Sequence, residues 1–120
     1  NRADQFKREA AEFYQCIEQS LGWVEKRLKQ TVIPASPYRR LDAGAIGSVV
    51  ADYPLQLYPA NEERMQGTME FLIRNCLIHG GFFQDMTHSG INPYLTLHMA
   101  QVLLRAGDPR YFYLMTTVAQ

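Results

Sequence analysis

Two short segments carry most of the side chains able to do chemistry. One is Tyr38-Arg39-Arg40-Leu41-Asp42; the other runs from Gln84 to Tyr94 through Asp85, His88, Ser89 and Asn92. Between them they supply carboxylates, guanidiniums, an imidazole, amide groups and phenols. Such a set suits a polyol-binding cleft, with planar donors and acceptors for hydroxyls, aromatic faces for C–H surfaces and carboxylates for acid–base work. Asp85 lies in a glycine-rich stretch with no helix for it to cap, so it is the stronger candidate for a catalytic carboxylate. Asp42 is the second candidate, weighed against an ordinary role as helix N-cap. Arg40, His88, Asn92 and Tyr94 are the candidate substrate-binding groups. The pair Arg39–Arg40 also reads as solvated or salt-bridged. His79 and His98 fall within helical patterns and read as structural. Asp52 reads as a group that satisfies backbone donors at a helix end.

Other chemistries find little support. The sequence contains no HExxH, no CxxC and no convergent His/Asp spacing, so neither a metal nor a cofactor is expected. Gly44-Ala45-Ile46-Gly47-Ser48 resembles a phosphate loop on the surface, but it follows no strand pattern and lacks the lysine. No GxSxG nucleophile turn occurs. Two cysteines, Cys16 and Cys76, are too few for a disulfide framework, and their helical settings predict two buried free thiols.

The elements that must position these groups are helices. Phe6, Ala10, Phe13, Ile17, Leu21, Val24 and Leu28 recur at steps of three and four, which predicts one amphipathic helix over 3–30. Pro34 and Pro37 mark a connector. Asp42 then opens a small, apolar segment over 43–53 that Pro54 should end. A second amphipathic helix is expected over 61–79, with Asn61 as cap and Gly80–Gly81 as stop. The stretch 80–93 reads as a loop. Asn92 and Pro93 open an apolar helix over 93–106, and Asp108–Pro109 a fifth helix over 109–120. No strand pattern is evident. The expected class is all-α: about five helices in antiparallel hairpins, alternating between an inner and an outer layer. In that arrangement the inner helices, 43–53 and 93–106, run parallel. Their N-termini, with the two chemistry-bearing segments, open at one mouth.

Charge supports burial of the later helices. The whole chain is balanced, with 12 basic and 12 acidic residues among 120, which argues against a surface built for nucleic acid or anionic lipid. No apolar run is long enough to span a membrane. Residues 1–30 hold eleven charged side chains, whereas residues 75–120 hold four: Asp85, Arg105, Asp108 and Arg110. A segment so poor in charge is expected to be covered. The chain therefore reads as a single segment excised from a longer polypeptide, or as one copy of a tight homo-oligomer. No leader-like stretch opens it, and its compartment is left open, with the cytoplasm favoured.

The segment GAIGSVVADYPLQLYPANEERMQGTMEFL resembles a hairpin of the (α/α)6-barrel, or six-hairpin, glycosidases, the group of glucoamylases and glycogen-debranching glucosidases. HSGINPYLTLHMAQVLLRAGDPRYFYLM is similar to the next hairpin: a loop, an apolar inner helix, a Gly-Asp-Pro turn and an outer helix. The resemblance implies part of a toroid of alternating helices and hydrolysis or phosphorolysis of glycosidic bonds in an oligosaccharide or polysaccharide. It would place Arg40, Asp42, Asp85, His88, Asn92 and Tyr94 around the barrel mouth. No catalytic carboxylate pair matches a family motif, and five helices are fewer than the twelve of a full barrel. The segment alone is therefore expected to be inactive. The competing expectation is a noncatalytic all-α interaction module.

Overall fold

A computed structural model describes residues 1–38, 41–86 and 89–120. The chain divides into two units, Asn1–Gln30 and Thr31–Gln120. The first is a single helix, α1 (Arg2–Leu28). Asn1 caps it: its Oδ1 accepts from the Asp4 amide at 3.0 Å, and Asp4 returns the contact to the terminal ammonium at 3.1 Å. Lys26 and Arg27 occupy the last turn, where the helix dipole favours cations. Phe6, Phe13 and Ile17 of its apolar stripe are exposed. So is Cys16, which corrects the expectation of two buried thiols.

The second unit contains a 3-10 helix (Ala43–Ala51), α2 (Glu63–Cys76), β1 (Leu77–Ile78), β2 (Gly81–Gln84), β3 (Gly90–Ile91), α3 (Pro93–Arg105) and α4 (Arg110–Ala119). The protein is helix-rich, as its periodicity implies, but not purely so. The three strands form an antiparallel sheet in the order β1-β2-β3. Leu77 pairs with Phe82 and Ile78 with Gly81, so His79 and Gly80 make a two-residue hairpin turn. Both have positive φ, 51° and 80°, as the tightest hairpin turns require. Gly80–Gly81 thus turns a hairpin instead of stopping a helix. The helix has already ended at Cys76, because Leu77 takes extended angles.

The core gathers Val49 from the 3-10 helix, Met65, Met69 and Leu72 from α2, Phe82 from β2, Met99, Val102 and Leu103 from α3, and Leu114 from α4. Two buried threonines tie connectors to it. Thr68 Oγ1 accepts from the Ile33 amide at 2.8 Å and donates to the Arg64 carbonyl at 2.7 Å. Thr96 Oγ1 accepts from the Phe82 amide at 2.9 Å and donates to the Asn92 carbonyl at 2.7 Å. Gly67 lets the 31–33 connector cross α2 closely, since a Cβ there would meet the Thr31 carbonyl oxygen at 2.0 Å.

Neither apolar segment is covered on every side. In the 3-10 helix Ile46 is 8% exposed and Val49 is buried, but Val50 is 42% exposed, which corrects the expectation that this segment is wholly enclosed. Leu97 of α3 is 39% exposed, and Tyr94 and Leu104 on the same helix are also open. The expectation that α3 is covered on every side is therefore corrected: one face packs against α4 and the 3-10 helix, and another remains bare.

Candidate functional site

Asp42 and Asp85, 43 positions apart in sequence, line one cavity of about 230 Å³. Its other walls are Ala43, Phe71, Asn75, Cys76, Ile78 and Phe83. Three local structures make it. The extended residue Asp42 (φ −147°) begins the 3-10 helix, with its Oδ1 accepting from the Gly44 amide at 2.8 Å. The last two turns of α2 supply Phe71, Asn75 and Cys76. The β1–β2 hairpin carries Ile78 and Phe83, and delivers Asp85 just beyond its end. Gly44 permits the close meeting of these parts: a Cβ there would stand 2.8 Å from Asp42 Oδ1, 3.1 Å from Ala35 Cβ and 3.6 Å from Met86 Cε.

Asp42 is half-buried and Asp85 exposed, so the two carboxylates sit at the rim while Cys76, 8% exposed, forms the floor. The Cys76 thiol is pushed above its ordinary range, first by burial and then by the charges of Asp85 and Asp42. The thiol is thus neutral at physiological pH and a poor nucleophile. Asn75 Nδ2 donates to the Phe71 carbonyl at 2.8 Å, which leaves the amide oxygen for other contacts.

The remaining candidates lie elsewhere. Asn92 caps α3, accepting from the Leu95 amide at 3.1 Å, and its Nδ2 donates to Gln84 Oε1 at 2.6 Å. With Gln84, Ser89, Gly90, Ile91 and Pro93 it lines a separate, more open cleft of about 280 Å³. Tyr94 is exposed, and its ring stacks obliquely on His98 with centroids 4.4 Å apart. Arg40 and His88 lie outside the described residues. Among the described residues no cluster of three or more His, Cys, Asp or Glu is arranged to hold a metal ion.

Sequence reasoning missed two features. Phe71, Asn75 and Cys76 were legible only as parts of an amphipathic helix. Asp52 proves to be fully buried and ion-paired with Arg105, which also donates to the Asp52 carbonyl at 2.9 Å. Asp52 Oδ2 is left without a hydrogen-bond partner. The sequence signal was there: Arg105 is one of only four charges in the last 46 residues, so it needed an acid.

No protein-family model, curated protein or solved structure matches this chain.

Proposed function

We propose that the chain is a segment of a carbohydrate-active, glycoside hydrolase-like protein, and that it supplies sugar-binding loops at the mouth of a helical toroid. The observation that carries this reading is the convergence of Asp42 and Asp85 on one cavity. These are the two carboxylates that the resemblance to six-hairpin glycosidases set at a common mouth. The wall chemistry is consistent with it: carboxylate and amide oxygens accept from sugar hydroxyls, and Phe71 and Phe83 offer apolar surface to a ring. The bare face of α3 also fits, because neighbouring hairpins of a complete toroid would cover it. At about 230 Å³ the cavity accommodates one sugar ring, so further subsites of an oligosaccharide would come from beyond these residues.

Titration of the protein with glucose, maltose and longer glucans, followed by amide chemical shifts, tests the reading. Shifts centred on Asn75, Cys76 and Asp85 are expected, and are expected to vanish in Asp85→Ala. Shifts absent for every neutral sugar would remove the proposal.

The exposed Phe6, Phe13 and Ile17 on α1 favour a second reading, a noncatalytic module that binds another protein through an amphipathic helix. Phe13→Ser, outside the cavity, would abolish such binding and leave sugar-induced shifts intact.

A further inference from the structure

Residues 1–17 of the chain are exposed without exception, although Phe6, Phe13 and Ile17 of α1 lie among them. Leu21 and Val24, further along the same stripe, are buried. The open part of the stripe is thus Phe6, Ala10, Phe13 and Ile17, at steps of four, three and four, with Tyr14 beside it. These steps are those of the d, a, d and a positions of a heptad seam, the surface one helix offers to another. A helix in water owes most of its stability to the packing of its apolar face, and in this half of α1 no side chain is buried.

The partner that fits this seam is the seam itself, turned round. The steps read the same from either end, so two copies running antiparallel bring Phe6 onto Ile17 and Ala10 onto Phe13, the small side chain against the large one. A parallel pair would instead stack Ala10 on Ala10 and Phe13 on Phe13, and would set Arg2 against Lys7 across the seam. Charge favours the same direction. Residues 1–9 carry Arg2, Lys7 and Arg8 against Asp4 and Glu9, whereas residues 10–20 carry Glu12 and Glu18 and no base. Antiparallel pairing lays the basic stretch on the acidic one. Lys7 then faces the edge formed by Tyr14 and, one turn on, Glu18 of the other copy. We propose that α1 pairs antiparallel with α1 of a second copy of this chain, through Phe6, Ala10, Phe13 and Ile17, with Lys7 of each copy set against Glu18 of the other. The proposal rests on the reading of α1 as an interaction helix and names its partner. Phe6, Phe13, Tyr14 and Ile17 together offer about 400 Å² per copy. That is roughly half of what one side of a standard interface buries, so the dimer is weak and reversible.

The open face of α3 can also draw copies together. The test therefore uses the whole chain with Leu97→Lys and Leu104→Lys, expected to be monomeric at low micromolar concentration. Sedimentation and the α1 amide shifts are followed as its concentration rises to about 1 mM, with a dimer expected above about 0.1 mM. Phe13→Ser in that background is expected to weaken the dimer more than tenfold. Lys7→Glu is expected to weaken it about fivefold, and Lys7→Glu with Glu18→Lys to restore it. Far-ultraviolet circular dichroism at the lowest concentration checks that each variant keeps its helix. Direction is read from thiols: Glu9 of one copy lies beside the exposed Cys16 of the other in the antiparallel pair. Air oxidation of Glu9→Cys is expected to join the introduced thiol to Cys16 of the second copy. A dimer joined mainly through Cys16 to Cys16 would be parallel and overturns the proposal, as does a double charge reversal that fails to restore the dimer. A dimer that Phe13→Ser leaves unchanged forms elsewhere and overturns it equally. A chain that stays monomeric to about 1 mM overturns the self-pairing alone. The interaction reading of α1 would survive that result, and fails only if Phe13→Ser leaves the binding of other proteins unchanged.

Discussion

Asp52 and Arg105 show how unequal the two ends of one ion pair can be. Asp52 is wholly enclosed, whereas the Arg105 side chain is 22% exposed. Removing the arginine leaves an uncompensated carboxylate in the interior; removing the aspartate leaves a guanidinium that water can still reach. Arg105→Met is therefore expected to cost about 3–5 kcal/mol in denaturant unfolding, and Asp52→Asn distinctly less. The pH dependence follows from the same burial. Desolvation outweighs the attraction of Arg105 and raises the Asp52 carboxyl above its ordinary value of 3.8. An acid raised in the folded state contributes stability that is complete below the unfolded value and is lost as pH rises through the folded one. Asp108 is opposite: Arg110 holds its carboxyl below 3.8, so its contribution is present above that value and lost as pH falls through the folded one. Stability curves measured in acid should thus flatten on the high-pH side in Asp52→Asn. They should lose their acid-side fall in Asp108→Asn, and an unchanged curve in either variant would contradict the assignment.

The elements divide by how much of their cause is local. α1 and α3 were legible because caps and periodicity agree: Asn92 and Pro93 open α3 where the sequence puts them, and the Asn92 side chain reaches the Leu95 amide. Asn92→Ala is expected to cost about 1 kcal/mol through that cap, more if the Gln84 bond is also felt, as thermal melts would report. The sheet was not legible. Strands of two to four residues are too short to show an alternation, and Gly80–Gly81 reads equally as a helix stop. What decides for a hairpin is tertiary. Gly80 faces Tyr113 and Thr117 of α4, each within 2.9 Å of where a Cβ would stand, and Gly81 faces Ile91 at 2.4 Å. Gly80→Ala combines a positive φ with that contact, and is expected to destabilise by about 1–3 kcal/mol in denaturant titration. Gly22, inside α1 with open space around it, should gain about 1 kcal/mol of helix stability from alanine instead. The candidate site follows the same division. Its two acids stood out in the sequence by residue type, while Asn75 and Cys76 became part of it only when the hairpin folded against the end of α2.

At the scale of the whole molecule, the scarcity of charge after residue 75 has been only partly discharged by folding. Of the four charges there, Arg105 is used on Asp52, and Arg110 is held by Asp108 and by Glu70 of α2. That leaves the outward side of α3 without any. Tyr94, Leu97 and Leu104 recur at steps of three and seven, which puts them along one face of the helix, with Gln101 between them. An apolar helix face of this kind is what the toroid reading requires, because adjoining hairpins would lie on it. Left uncovered, such a face is expected to make the chain self-associate. Sedimentation of the protein is therefore expected to show a mass that rises with concentration. Leu97→Lys with Leu104→Lys should return it to a monomer. Both leucines are already 39–46% exposed, so the double variant is expected to lose only about 1 kcal/mol of stability. Loss of about 4 kcal/mol or more would mean that these side chains belong to the core, and the case for missing hairpins over α3 would fall.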